Sequence, residues 1–154
     1  MASAEAKIVE LGLTLPDPPK SAGNYIPFVI AGNLLFVSGS GPRLPSGDYK
    51  HGKVGRDVTP EDAYQDARLV GITLLGVVRA ALGSLDRVKR VVKLLGMVNA
   101  VPEFTDHPRV INGCSDLLVE VFGEAGKHAR SAVGLGSLPM QITVEIEAIF
   151  EIAN

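Results

Sequence analysis

The clearest pattern in the chain is a strict alternation of apolar and polar residues near its C-terminus. From Ile142 to Ile152 every second residue is apolar, and three of the positions between them are glutamates, Glu145, Glu147 and Glu151. A period of two is typical of a β-strand whose two faces meet different surroundings. The sequence therefore predicts a strand here, with one face in the core and carboxylates on the other.

A repeat of three- and four-residue steps after Thr59 predicts the longest helix. Thr59 can cap the helix, Pro60 suits its first turn, and Gly83 suits its end. Six small or aliphatic residues fall on one helical face: Ala63, Ala67, Val70, Leu74, Val77 and Ala81. This face is expected to be buried.

The other elements follow from shorter signals. Four further strands are predicted, at residues 25–31, 34–38, 87–101 and 131–137. Two further helices are predicted, at residues 4–13 and from Pro108 to the glycines at 123–126, the second with Ile111, Cys114, Leu118 and Val121 inward. The first two strands are joined by Gly32 and Asn33, which suit a tight turn.

In chain order these elements give β-β-α-β-α-β-β, which predicts an α+β fold: a mixed sheet with two helices packed on one face. No repeat, low-complexity tract or linker interrupts the order. Residues 1–154 are therefore expected to form a single domain, in which residues 1–20 are an N-terminal helix and extension.

The last two strands are expected to form a terminal hairpin with its turn at residues 138–139. If Ser137 pairs with Ile142, then Arg130 and Glu145 share one face of the sheet. They would stand four residues apart, about 13 Å at ~3.3 Å per residue, with room for a small acid between their side chains.

The pair Arg130 and Glu145 is the best candidate for chemistry. A guanidinium binds a carboxylate through two parallel hydrogen bonds, and a nearby carboxylate can orient and deprotonate a water molecule. The competing interpretation is structural: Arg130 can form an ion pair with Glu145, Glu147 or Glu151.

Composition narrows the possible partners. The net charge is −2 and the isoelectric point is near 5.9, whereas sequence-independent nucleic-acid binders carry clustered excess Lys and Arg. The basic residues at 87–93 are expected to be a solvated side of a strand, so no nucleic-acid partner is predicted. The apolar stretch at 69–78 is about half as long as a bilayer span, and no signal peptide is apparent. A cytoplasmic protein without a membrane partner is predicted.

No pattern in the sequence calls for a metal or a cofactor. There is no phosphate-binding loop of the Gly-x-x-x-x-Gly-Lys-Ser/Thr type, and His51, His107 and His128 are scattered without metal-binding spacing. The single cysteine, Cys114, excludes an internal disulfide and lies on the inward stripe of its helix.

Three segments near the C-terminus resemble the signature of the Rid (YjgF-type) superfamily. They are His-Ala-Arg-Ser-Ala-Val at 128–133, Ser-Leu-Pro at 137–139 and Val-Glu-Ile-Glu-Ala-Ile at 144–149. Gly-Asn-Tyr at 23–25 and Val-Ser-Gly at 37–39 resemble two further site segments of that family. The resemblance runs from about residue 21 to the C-terminus.

This resemblance implies a chorismate-mutase-like fold and a homotrimer with sites in clefts between subunits. The best-known members of the family hydrolyse reactive 2-enamine or 2-imine acids that pyridoxal-phosphate enzymes produce. The products are 2-keto acids and ammonia, and no cofactor is needed. Arg130 matches the arginine that binds the substrate carboxylate, and Glu145 matches the glutamate that orients water. The resemblance places five further residues in the cleft: Tyr25, Ser38, Gly39, Asn112 and, through its backbone carbonyl, Ala132.

The chain departs from the family pattern at three places. Ser40, Gly41 and Pro42 follow the Ser-Gly pair, Ala132 replaces the usual cysteine, and the loop at 43–57 looks longer. Enzymatic deamination is the first hypothesis, and a trimer that binds small carboxylates without turnover is the second. An endoribonuclease, a label that some relatives carry, is the third.

The bare strand positions Gly134 and Gly136 fit the expected trimer, because glycine in a strand often marks the close approach of another backbone.

Overall fold

The computed structural model describes residues 2–21 and 23–154. Its strands are β1 (Phe28–Ala31), β2 (Leu34–Ser40), β3 (Val88–Asn99), β4 (Ala129–Leu135) and β5 (Val144–Ile152). Its α-helices are α1 (Ala4–Glu10), α2 (Pro60–Leu82) and α3 (His107–Phe122). The strands form one sheet in the order β1-β2-β5-β3-β4, which confirms the predicted mixed α+β architecture.

Helix α2 begins and ends where the sequence predicts. The Thr59 hydroxyl accepts a hydrogen bond from the Asp62 backbone N–H at 3.1 Å, and Pro60 is the first helical residue. Gly83 ends the helix with φ of +81°, in the left-handed region that favours glycine. The predicted inward stripe is buried between α2 and the sheet, apart from the half-buried Ala81.

Strand β5 lies at the centre of the sheet and divides it into two unlike faces. The side chains of Val144, Ile146 and Phe150 are fully buried beneath α2 and α3, on what we call the helix face. Glu145 and Glu147 point to the opposite side, called here the open face, which no helix covers within the described residues. The alternation read from the sequence is therefore confirmed.

The expected terminal hairpin is wrong. Strand β4 pairs in parallel with β3, and β5 pairs with β2 and β3 instead. Helix α3 makes the crossover between β3 and β4, as parallel neighbours require. The connection from β4 to β5 then passes the end of β3, with Met140 and Gln141 both at a φ of +54°.

The loop between β2 and α2 folds back onto the end of the sheet. The backbone of Arg43 forms a β-bridge with that of Tyr49, and the backbone of Val54 forms one with that of Ala100, just after β3. The ammonium of Lys53 donates to Asn99 Oδ1 at 2.7 Å and to the Gly136 carbonyl. These contacts hold the loop beside the C-terminal end of β2, where the family resemblance places part of the site.

A candidate active site in two halves

The first half of the site is built on a β-bulge in β2. Val37 pairs with Ala148 and Ser40 pairs with Ile146, so Ser38 and Gly39 together oppose the single residue Glu147. Bulges of this kind re-aim side chains and recur beside active sites. Here the bulge turns the backbone of Gly39 toward Glu145.

Gly39 lies directly against the carboxylate of Glu145. A Cβ placed on Gly39 would lie 3.1 Å from Oε2 of Glu145, closer than ordinary van der Waals contact. Any side chain at this position would therefore press on the Glu145 carboxylate. The glycine is needed for space, because its φ lies outside the left-handed region.

Glu145 has the environment expected of a proton acceptor. Its side chain is half-buried on the open face, and within residues 2–21 and 23–154 it forms no ion pair. Burial raises the pKa of the Glu145 carboxyl, and the neighbouring charge of Glu147 raises that pKa further. A carboxyl with a raised pKa is a better base than an exposed one.

Tyr25 and Ser38 lie on the same side of β2 as Gly39. The Ser38 hydroxyl donates a hydrogen bond to the Ile26 carbonyl at 2.7 Å and so fixes the chain that carries Tyr25. Tyr25 is exposed, and with Ser38 and Gly39 it lines a cavity of about 90 Å³. The structure thus places Tyr25, Ser38 and Gly39 around one cavity and Gly39 against Glu145.

The second half of the site is built around Arg130 on the edge strand β4. The Nη1 atom of Arg130 donates to Asn112 Oδ1 at 2.7 Å and to Ser115 Oγ at 3.1 Å, both on α3. Arg130 therefore projects from the helix face and is held by neutral oxygens. Its other N–H groups form no hydrogen bond to the described part of the chain, so a carboxylate has donors available.

A histidine stands behind this arginine. His128 Nδ1 lies 2.7 Å from the Gly126 carbonyl, which can only accept, so Nδ1 carries the proton. His128 Nε2 then accepts from the Ser115 hydroxyl at 2.9 Å, and Ser115 accepts from Arg130. Burial lowers the pKa of His128, and the charge of Arg130 lowers that pKa further. The neutral imidazole fits both hydrogen bonds, and in this form it orients Ser115 toward Arg130.

Sequence reasoning missed the roles of Ser115 and His128. Asn112 and Ser115 are three residues apart on α3, which puts them on one helical face. His128 is two residues before Arg130 on an extended segment and so shares its face. These spacings were available signals, but the histidines were considered only as metal ligands. Ala132 lies two residues beyond Arg130, packed against the core.

The two halves are separated within one chain. Arg130 is in register with Leu94 and Ala148, whereas Glu145 is in register with Met97 and Val133. The two positions are thus two strands and three residues apart, about 14 Å between backbones, and their side chains leave opposite faces of the sheet. The predicted shared face is wrong, because it rested on a hairpin that does not form.

The competing ion-pair interpretation is also not what the structure shows. Glu151 pairs with Lys89 at 3.6 Å, and the hydrogen bonds of Arg130 go to Asn112 and Ser115. Within the described ranges, neither Glu145 nor Glu147 has a cationic partner at salt-bridge distance.

The absence of a side chain at Gly134 is explained by a contact within the same chain. A Cβ there would lie 2.2 Å from Nε2 of His107 in the same chain, so the glycine makes room for α3. Gly136 follows β4 and has open space around it, so it is not a strand glycine and no longer bears on the expected trimer.

The basic residues near the start of β3 are largely engaged within the chain. Arg87 donates to the carbonyls of Leu82 and Ala153, and Arg90 donates to the carbonyl of Lys127. Lys89 pairs with Glu151. Arg87, Lys89 and Arg90 do not form one side of a strand, because Arg87 precedes β3 and the register shifts between Val88 and Arg90. This arrangement gives a nucleic-acid backbone few free cations at this place.

Residues 2–21 and 23–154 contain no cluster of three or more His, Cys, Asp or Glu side chains that could hold a metal ion. In the same ranges, no helix combines the length and the apolar character needed to cross a bilayer.

The fold and the site define a broad class of protein: a small α+β domain that carries its arginine and glutamate motifs on separate strands. Comparison with known proteins identifies the family. Residues 5–150 match the family described as "YjgF/chorismate_mutase-like, putative endoribonuclease". The chain therefore belongs to the YjgF, or Rid, family, as its C-terminal motifs indicated.

Relatives match over nearly their whole length. Protein TCP17 of Trypanosoma cruzi is 43% identical over 150 residues, covering 97% of this chain and 94% of the relative. The crystal structure of Atu1372 from Agrobacterium tumefaciens, a protein of unknown function, is 49% identical with a TM-score of 0.89, covering 97% and 94% of the two chains. A Shewanella oneidensis protein with the endoribonuclease description is 33% identical with a TM-score of 0.94, covering 98% and 100%.

Proposed function

We propose that the protein hydrolyses small 2-enamine and 2-imine acids to 2-keto acids and ammonia, as a homotrimer with sites between subunits. The observation that carries the proposal is the separation of Arg130 from Glu145 onto opposite faces of one sheet. Both residues match the family's site, yet one chain cannot apply them to the same small ligand. Two copies can, if the Arg130 of one subunit faces the Glu145 of its neighbour.

The open face of the sheet supports such an assembly. Val29 pairs with Phe36, and Phe36 pairs with Ile149, so an apolar row crosses three strands of the face that lacks helices. Val29 remains 49% exposed and Phe36 39% exposed in the single chain. Contiguous apolar surface of this kind marks a protein–protein interface in soluble proteins.

The proposed chemistry needs only the residues described. Arg130, braced by Asn112 and Ser115, binds the substrate carboxylate and fixes its orientation. Glu145 accepts a proton from a water molecule whose oxygen bonds to the imine carbon, and the proton passes on to the nitrogen. A second proton moves from the new hydroxyl to the nitrogen as the C–N bond breaks, which leaves a 2-keto acid and ammonia. An enamine first tautomerises to the imine.

Replacing Glu145 by glutamine tests this proposal. The amide keeps the shape of the side chain but cannot accept the proton, so we expect Glu145→Gln to slow hydrolysis by roughly two to four orders of magnitude. The measurement is ammonia and keto-acid release from an imino acid generated in the assay by an amino-acid oxidase, with the uncatalysed rate subtracted. Keto-acid affinity, measured by calorimetry, should stay near that of the unmodified protein.

Glu147→Gln is the matched control, because Glu147 lies on the same face and strand, whereas the carboxylate nearest Gly39 belongs to Glu145. At neutral pH it should keep the unmodified rate. Hydrolysis at full rate by Glu145→Gln would contradict the proposed role. Keto-acid binding that depends on Arg130, without any ammonia release by the unmodified protein, would indicate the second hypothesis, a carboxylate-binding trimer.

A further inference from the structure

The cavity of about 90 Å³ is lined by Gly39 but not by Glu145. Thr73 and Val77 of α2 form its floor, and the bulge residues and Ser40 form one wall. Tyr49 forms another wall, held close because Gly41 has no side chain: a Cβ there would lie 3.2 Å from the Tyr49 ring. This part of the site is made by the segment in which the chain departs from the family pattern.

The lining of this cavity is cationic and rich in hydroxyl groups. Its charged residues are Lys20 and Arg43, and none of the described residues that line it is acidic. Its hydroxyl groups belong to Ser21, Tyr25, Ser38, Ser40, Tyr49 and Thr73. Cations and hydroxyl groups together are the usual recognition set for carboxylate or phosphate oxygens.

Arg43 differs from the other arginines of the chain. Its side chain is half-buried, yet its guanidinium has no hydrogen-bond partner within residues 2–21 and 23–154. The seven other arginines each donate to a carboxylate, an amide or a carbonyl of the chain. The guanidinium donors of Arg43 are therefore available to an external anion.

We propose that this cavity holds a second acidic group of the ligand, so that the preferred substrates are 2-imino acids bearing another anionic group. The proposal rests on the proposed function and adds the substrate class to it. Gly39 connects the two places, since it lines the cavity and also lies against the Glu145 carboxylate. A ligand whose reacting carbon is beside Glu145 would therefore extend past Gly39 toward Arg43. The volume suits one such group, being smaller than the ~150 Å³ that accommodates benzene.

Two product analogues of equal length test the idea. 2-Oxoglutarate and 2-oxopentanoate share five carbons and a 2-keto acid end, but only the first has a second carboxylate. By calorimetry we expect the protein to bind 2-oxoglutarate at least about tenfold more tightly, a common value for one charge-assisted contact. Arg43→Gln should remove this preference and leave the affinity for 2-oxopentanoate unchanged.

Arg56→Gln is the matched control, because Arg56 lies in the same loop but pairs with Asp57 outside the cavity. It removes the same charge and should keep the preference. Equal affinity for the two acids in the unmodified protein, no binding of 2-oxoglutarate, or an undiminished preference in Arg43→Gln would overturn the inference. If the preference depends on Arg43 but no imine is hydrolysed, the deaminase proposal fails while the anion pocket stands.

Discussion

The protonation of Glu145 should control the pH dependence of the proposed reaction. Only the ionised carboxylate can accept a proton from water, and the pKa of Glu145 is raised, first by burial and then by the charge of Glu147. The rate should therefore be low in acid and rise with pH through a midpoint higher than that of an ordinary glutamate. A pH profile of enzymatic imine hydrolysis, corrected for the uncatalysed reaction, measures this midpoint.

Glu147→Gln should move that midpoint to lower pH. Removing the neighbouring negative charge takes away one cause of the raised pKa of Glu145, while burial continues to act. Glu151→Gln serves as the control, because Glu151 pairs with Lys89 and is not among the causes of the shift. An unchanged midpoint in Glu147→Gln would show that the titrating group is not Glu145.

Arg130→Lys should impair keto-acid binding nearly as much as Arg130→Ala. A lysine supplies a point charge but cannot donate to Asn112 and Ser115 and also present a planar pair of donors to a carboxylate. Calorimetry with 2-oxobutyrate measures the loss. The control is Arg90→Lys, because Arg90 contacts only a backbone carbonyl outside the site. Full affinity in Arg130→Lys would argue against two-point binding.

The identity of the site residues was more accessible from sequence than their arrangement. Motifs at fixed positions singled out Arg130 and Glu145, and the resemblance placed Asn112 in the cleft. The structure puts Asn112 Oδ1 2.7 Å from Nη1 of Arg130. The bracing of Arg130 by Ser115 and His128 was not foreseen, since a hydrogen-bond chain depends on side-chain directions from two different elements. The unpaired state of Arg43 is a property of its surroundings, which no spacing in the sequence reveals.

The β2 bulge is the element that positions Glu145, and Gly39→Ala tests it. The new Cβ would press on the carboxylate at 3.1 Å from Oε2. Because the Glu145 side chain can shift, we expect a nearly unchanged melting temperature but a rate lowered by roughly tenfold to a hundredfold, as for a base displaced by a fraction of an ångström. In a Glu145→Gln background the same change should have little further effect. Equal losses in both backgrounds would show that the bulge acts through something else.

The elements were predicted well because each follows from a local pattern. The caps of α2, the turn at Gly32 and the alternation in β5 are all encoded within a few residues. The strand that pairs with β4 could not be predicted in this way, because a period of two defines the faces of a strand but not its neighbour. The order strand, helix, strand from β3 to β4 was the available signal, since a helical crossover favours parallel pairing.

The assembly is the part of the account that one chain does not contain. Its motivation is the apolar open face and the division of the site between opposite faces, and both depend on where β4 and β5 lie in the sheet. Light scattering at micromolar concentration should give the mass of three chains. A monomer under those conditions would contradict the proposal, because Arg130 and Glu145 of one chain cannot contact the same small ligand.

Subunit complementation tests the shared site most directly. Arg130→Ala and Glu145→Gln, each nearly inactive alone, are mixed under denaturing conditions and refolded together. If each site takes Arg130 from one subunit and Glu145 from its neighbour, random mixing should restore about a quarter of the unmodified activity. As a control, Arg130→Ala mixed with the double variant should stay inactive. No gain in imine hydrolysis from a mixture that forms mixed trimers would contradict the account.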